Sequence, residues 1–138
     1  MKIKDWIKRD EGYRNKIYKC TAGKNSIGWG RNLDDLGISE DEAELMLNND
    51  IARCEKQLDV YPWYRYQPEA IQDALVNMCF NMGLPRLLGF KKMISALEKK
   101  DYSKAALEAL NSRWATQVGK RAQDIAKQIR NGGNGPRC

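Results

Sequence analysis

A mostly helical α+β fold with one small antiparallel β element near the N-terminus is what this sequence predicts, on three observations. Between residues 16 and 33 two runs of β-formers, KIYKC and SIGWGRNL, flank the turn-like TAGKN. From Ser39 onward, apolar residues recur at helical spacing in one segment after another. The chain has 138 residues, about one domain, enough to bury roughly two-thirds of its unfolded surface.

The elements follow in order. Ile3, Trp6 and Ile7 give a short helix over 2–11, stopped by Gly12. The hairpin comes next and is broken by Asp34, Asp35 and Gly37. Ser39 and Glu42 form an S-x-x-E capping box, which starts an amphipathic helix carrying Ala43, Met46, Leu47, Ile51, Cys54 and Leu58. YPWYRYQP is a connector, and Pro68 opens a helix whose stripe is Ile71, Ala74, Leu75, Met78, Cys79 and Met82. Gly83 and Pro85 end it. Phe90, Met93, Ile94 and Leu97 mark another helix, 103–114 one that ends in Trp114, and Ala122, Ile125, Ala126 and Ile129 the last. The expected organisation is a single domain over 1–131. Within it, a β lobe spans about 13–38, a connecting helix 39–59 and a helical lobe 60–131. A disordered tail covers 132–138.

Composition removes whole classes of chemistry. The chain has no histidine, which excludes Ser-His-Asp and Cys-His pairs and HExxH zinc sites. Its four cysteines, Cys20, Cys54, Cys79 and Cys138, form no CxxC pair, so neither a metal site nor a thioredoxin-like centre is expected. Cys54 and Cys79 fall on apolar helix faces and read as structural. The net charge of +6 points to a polyanionic partner, which fits nucleic acid and also a bacterial wall with carboxylated stem peptides. MKIKDWIKRDEG has no apolar h-region and no run elsewhere suits a bilayer, so a soluble, cytosolically made protein without stable membrane insertion is expected.

Acid-base work then falls to Asp, Glu, Cys or Tyr. Glu11 closes the first helix just before Gly12, where its carboxyl can point into the space between sheet and helices. Cys20 and Ser26 end and begin the two hairpin strands, which makes them near cross-strand neighbours, about 5 Å apart at Cβ. The run DEGYRNKIYKCTAGKNSIGWGRNL resembles the signature region of the phage-type lysozymes, whose motif is Glu, eight residues, Asp or Cys, five residues, Thr. Glu11, Cys20 and Ser26 hold that spacing, and IGWG matches the family's I-G-x-G strand. The resemblance continues in ALVNMCFNMG over 74–83, GF at 89–90, SRW at 112–114 and KRA around Arg121. Ser26 replaces the usual Thr, Arg31 stands where some members have histidine, and the segment between Leu33 and Ser39 is short.

The resemblance implies a lysozyme-like fold, and an endolysin that hydrolyses the β-1,4 bond between N-acetylmuramic acid and N-acetylglucosamine of peptidoglycan to lyse a host. Glu11 is then the proton donor, a role favoured by partial burial of the carboxyl. Cys20 takes the place of the second catalytic group. It works as a thiolate, from an ordinary pKa of about 8.5 that nearby Lys and Arg could lower, or by positioning alone. Ser26 keeps the hydroxyl of the usual Thr, Gly30, Phe80 and Asn81 line the sugar site, and Arg121 lies close to the catalytic carboxyl. The resemblance further implies a monomer without cofactor or metal, made in the host cytoplasm and acting in the periplasm once a holin opens the way. Two other readings stay open. One is a catalytically impaired lysozyme-fold domain that only binds peptidoglycan. The other is a basic nucleic-acid binder, for which the sequence offers no recognised motif.

Overall fold

The computed structural model of the chain describes residues 1–133. It bears out the α+β fold class, with helices throughout and one three-stranded antiparallel sheet near the N-terminus. Two compact units divide the chain, one over residues 1–46 and one from Leu47 onward.

In the first unit, helix α1 (Ile3–Glu11) ends at Gly12, whose φ of 71° is a conformation that side-chain-bearing residues rarely adopt. Strands β1 (Arg14–Lys19), β2 (Asn25–Gly28) and β3 (Arg31–Asn32) pair in that order. The third strand and a short helix α2 (Leu33–Leu36) go beyond the expected hairpin. The strand pairs with β2 through Ser26 opposite Asn32 and Ile27 opposite Arg31, and the helix forms because Asn32 accepts a hydrogen bond from the Asp35 amide at 3.0 Å, so the polar run read as a breaker caps a helical turn instead. Helix α3 (Glu40–Leu58) opens on the capping box: Ser39 Oγ accepts from the Glu42 amide at 3.1 Å and Glu42 Oε1 accepts from the Ser39 amide at 2.8 Å.

Glu42 has a second partner. Arg31 donates to both its carboxylate oxygens, at 2.8 and 2.5 Å, and to the Gly37 carbonyl at 3.0 Å, fastening β3 to the start of α3. The Arg31 guanidinium, with the Ser39 amide, holds the Glu42 carboxyl down at about 2. Because this group sits lower folded than unfolded, its contribution to stability is present above the unfolded value of about 4.3 and is lost as pH falls from there through about 2. Thermal melts of the parent over that window should therefore fall more steeply than those of Glu42→Gln, which has no proton to gain. Parallel pH profiles for the two would show the pair to be idle.

The second unit holds the core. Helices α4 (Pro62–Arg65) and α5 (Glu69–Met82) are followed by α6 (Leu84–Leu88), α7 (Lys91–Glu98), α8 (Tyr102–Leu110), α9 (Arg113–Val118) and α10 (Lys120–Gly132). Ile71, Leu75 and Met78 of α5 are fully buried with Leu58, Leu87, Met93, Leu97, Trp114 and Ile129, so α5 is the central helix its stripe implies. Gln67 is buried between elements, donating to the Leu97 carbonyl at 3.0 Å and accepting from Tyr102 Oη at 2.7 Å.

Several details correct the sequence reading. The connector folds into α4, where Trp63 and Tyr64 turn inward, and Pro68 caps α5 instead of lying in its first turn. Pro85 starts α6, as its preset φ permits in a first turn. The helix expected to end at Trp114 stops at Leu110, because Ser112 Oγ accepts from the Ala115 amide at 3.1 Å and so begins α9. Only Cys54 and Leu58 of the α3 stripe are buried. Of the expected disordered tail, 132–138, Gly132 ends helix α10 and Gly133 is its C-cap, and 134–138 lie outside the described residues.

Candidate active site

The end of α1 meets the β2–β3 turn. Gly30 has a φ of 78°, and a Cβ at this position would stand 2.7 Å from Glu11 Oε2 and 2.8 Å from Glu11 Cδ. Glycine suits this backbone angle, and a side chain here would displace the Glu11 carboxyl from where it lies. Gly30, expected to line the sugar site, is first of all the surface on which the Glu11 carboxyl lies. Glu11 is exposed, contrary to the partial burial expected of it, and among the described residues its carboxylate has no hydrogen-bond or ion-pair partner.

Cys20 and Ser26 are brought together, though not directly across the ladder. The residue opposite Ser26 is Tyr18, while Cys20 lies one step beyond β1, where its amide donates to the Lys24 carbonyl at 2.9 Å. Ser26 is buried, and its Oγ donates to the same carbonyl at 3.4 Å. Backbone N–H groups of Lys24 and Ala22 hold the Cys20 thiol below its ordinary value, and the Ser26 hydroxyl adds to this against the opposing effect of burial. The donors are the amides of a tight turn, not the lysine and arginine charges anticipated. A turn that points N–H groups at one atom is suited to an anion.

The remaining expected residues lie in the second unit. Arg121 donates through Nε and Nη2 to Asn77 Oδ1, at 3.0 and 2.7 Å. Arg121, Asn77 and Phe80 line a hollow of about 340 Å³ whose other walls include Leu47, Ile51 and Val76. Phe80 is 42 % exposed and so is not the core residue its position on a buried helix would suggest. Asn81 Oδ1 accepts from Trp114 Nε1 at 2.7 Å, which ties Asn81 to the core and leaves its amide nitrogen without a partner among the described residues.

Sequence reasoning missed Asn77, which fixes the Arg121 guanidinium. It also missed a second hollow of about 340 Å³, lined by Phe90, Lys91, Lys92, Glu108, Asn111 and Ser112. The two lysines open α7 without a side-chain cap, and Glu108 sits in the last turn of α8, so both ends carry charges of the sign that the helix dipole disfavours. None of the three is hydrogen-bonded or ion-paired among the described residues. That double violation was visible in the sequence. Among the described residues there is no metal-binding cluster, and no helix is long and apolar enough to cross a membrane.

Residues 8–130 match the phage lysozyme family. The chain is 28% identical to probable T4-type lysozyme 1 of Dictyostelium discoideum, over 94% of each chain. It is 33% identical to an endolysin of Acyrthosiphon pisum secondary endosymbiont phage 1, over 83% of this chain and 80% of that one. It is also 26% identical to the pre-baseplate central spike protein Gp5 of Enterobacteria phage T4, over 96% of this chain but 28% of the spike protein.

Proposed function

Because the chain belongs to the phage lysozyme family and is a lysozyme-type glycoside hydrolase, we propose that it cuts the β-1,4 bond between N-acetylmuramic acid and N-acetylglucosamine of peptidoglycan, with Glu11 as proton donor, and so lyses a bacterial host. The observation that carries this is the Glu11 carboxyl itself: positioned against a glycine that leaves it room and, among the described residues, committed to no partner. A seated glycan would strip water from around that exposed carboxyl and bring the glycosidic oxygen to it. Glu11 then gives its proton to the departing sugar oxygen as the glycosidic bond breaks. The Cys20 thiolate, held by turn amides and Ser26, takes a proton from the water that attacks the oxocarbenium-like carbon. Phe80 and Asn81 offer a ring face and a free amide to sugar, and Arg121, oriented by Asn77, offers its guanidinium.

The hollow between α7 and α8 supports a peptide-bearing strand as substrate. Lys91 and Lys92 suit carboxylates of a stem peptide and Glu108 suits an ammonium, each restoring the sign the helix end favours. The reading extends to a monomer acting alone on glycan strands, made in the host cytoplasm and admitted to the periplasmic wall by a holin-type pore. The direct test is digestion of purified peptidoglycan followed by borohydride reduction and sugar analysis. New reducing ends should be muramic acid. Glucosamine ends would make the enzyme a glucosaminidase, and the absence of new ends would leave a wall-binding domain.

A further inference from the structure

Trp29 sits between Gly28 and Gly30, at the tip of the β2–β3 turn, with the two glycines at φ 70° and 78°. An indole at a turn tip has no core to enter, and Trp29 remains 45 % exposed, with Tyr13 at 64 %. The two rings nevertheless find one another. Their centroids lie 5.1 Å apart with planes tilted by 44°, and Lys8 Nζ stands 4.3 Å from the centre of the indole. Arg14 extends the pattern, its guanidinium 4.5 Å from the Tyr18 ring. Large exposed rings are better buried, so a preformed pair open to water is a place where a partner gains by covering them.

What fits is decided by size and by charge. An aromatic side chain buries some 150–250 Å² when fully covered, so two half-open rings offer far less than the roughly 800 Å² per partner of a stable protein interface. One flat ring of similar dimensions is the right scale. The lysine on the indole shows that its π-face attracts positive charge, and the C–H groups on the apolar face of a pyranose are weakly positive. Lys8 on the indole, and Arg14 on the neighbouring strand's Tyr18 ring, carry the charge that complements the carboxylates punctuating a peptidoglycan strand. The platform is also indexed to the acid, since Trp29 adjoins Gly30, against which Glu11 lies, and Tyr13 is two residues beyond Glu11 on the same chain turn.

The geometry points to Tyr13 and Trp29, with Lys8 over one face of the indole, as a sugar-holding platform for a pyranose ring of the glycan strand, additional to the residues that act on the scissile bond. It rests on the proposed hydrolysis of peptidoglycan. Binding is best read in the Glu11→Gln background, by co-sedimentation with purified walls. Adding Trp29→Ala should weaken it about tenfold, the scale of one lost ring-stacking contact, while Trp29→Phe retains most of it. In the active background Trp29→Ala should raise KM by a similar factor and leave kcat within about twofold, as expected for lost uniform binding. A soluble N-acetylglucosamine tetramer should shift the indole emission of the parent and leave that of Trp29→Phe unmoved. If Trp29→Ala loses its thermal transition, Tyr13→Ala, which leaves the turn untouched, gives the answer in its place. Wall affinity equal to the parent's in the folded variant overturns the platform while leaving hydrolysis standing. Failure of the parent to digest walls removes the underlying reading and the platform with it.

Discussion

Replacing Glu11 by Gln is expected to cut wall digestion by at least about 100-fold, the usual worth of a positioned general acid, with no loss of fold. The second half of that expectation comes from the structure. The Glu11 carboxylate makes no hydrogen bond or ion pair among the described residues, and an amide of the same shape fits the room that Gly30 leaves equally well. The exchange therefore removes a transferable proton and little else. Turbidity clearing of permeabilised cells measures the activity, and a circular-dichroism melt measures the fold. A Gln variant that digests walls within a few-fold of the parent would show that another group protonates the leaving sugar.

Cys20 should give the next largest effect, and its direction depends on pH. Because turn amides and Ser26 hold the thiol below its ordinary value, thiolate is populated at lower pH than for a free cysteine, and activity that needs it should rise with pH through that lowered value. Cys20→Asp, ionised above about pH 4, should be the more active form on the acid side, where the thiol is neutral. Cys20→Ser cannot ionise usefully and should lose activity across the range, by roughly the 10² or more that acid-base groups contribute. A thiol reagent separates the sites in a Cys138→Ser background. Cys54 and Cys79 are buried, and burial together with Cys54 pushes the Cys79 thiol up to about 12, so Cys20 is the one described cysteine poised to react. Inactivation of that background, with Cys20→Asp spared, is the expected pattern. Equal activity of Cys20→Ser and the parent at every pH would reduce Cys20 to a spacer.

Much of this protein is legible along the chain because it is local. The capping box of Ser39 and Glu42, the stop at Gly12 and the buried stripe of α5 follow from residues within a few positions of each other, where backbone geometry leaves few alternatives. The spacing of Glu11, Cys20 and Ser26 is likewise written in the sequence, and so is the family it marks. What the sequence left undecided are choices made by partners distant along the chain or by competing local bonds. Asp34 and Asp35 read as breakers until Asn32 caps them, and Trp114 closes one helix or opens the next according to which amide Ser112 captures. The register that sets Tyr18, not Cys20, opposite Ser26 turns on a strand offset of two residues, which composition does not specify. Nor does it announce that Gly30 is where the Glu11 carboxyl lies, that Asn77 fixes Arg121 from 44 positions away, or that the thiol is tuned by amides and not by lysines. The sequence alone determined which groups are available for chemistry. Only the tertiary structure decided what each of them touches, because contact distances and hydrogen-bond donors are properties of the folded backbone and not of residue type.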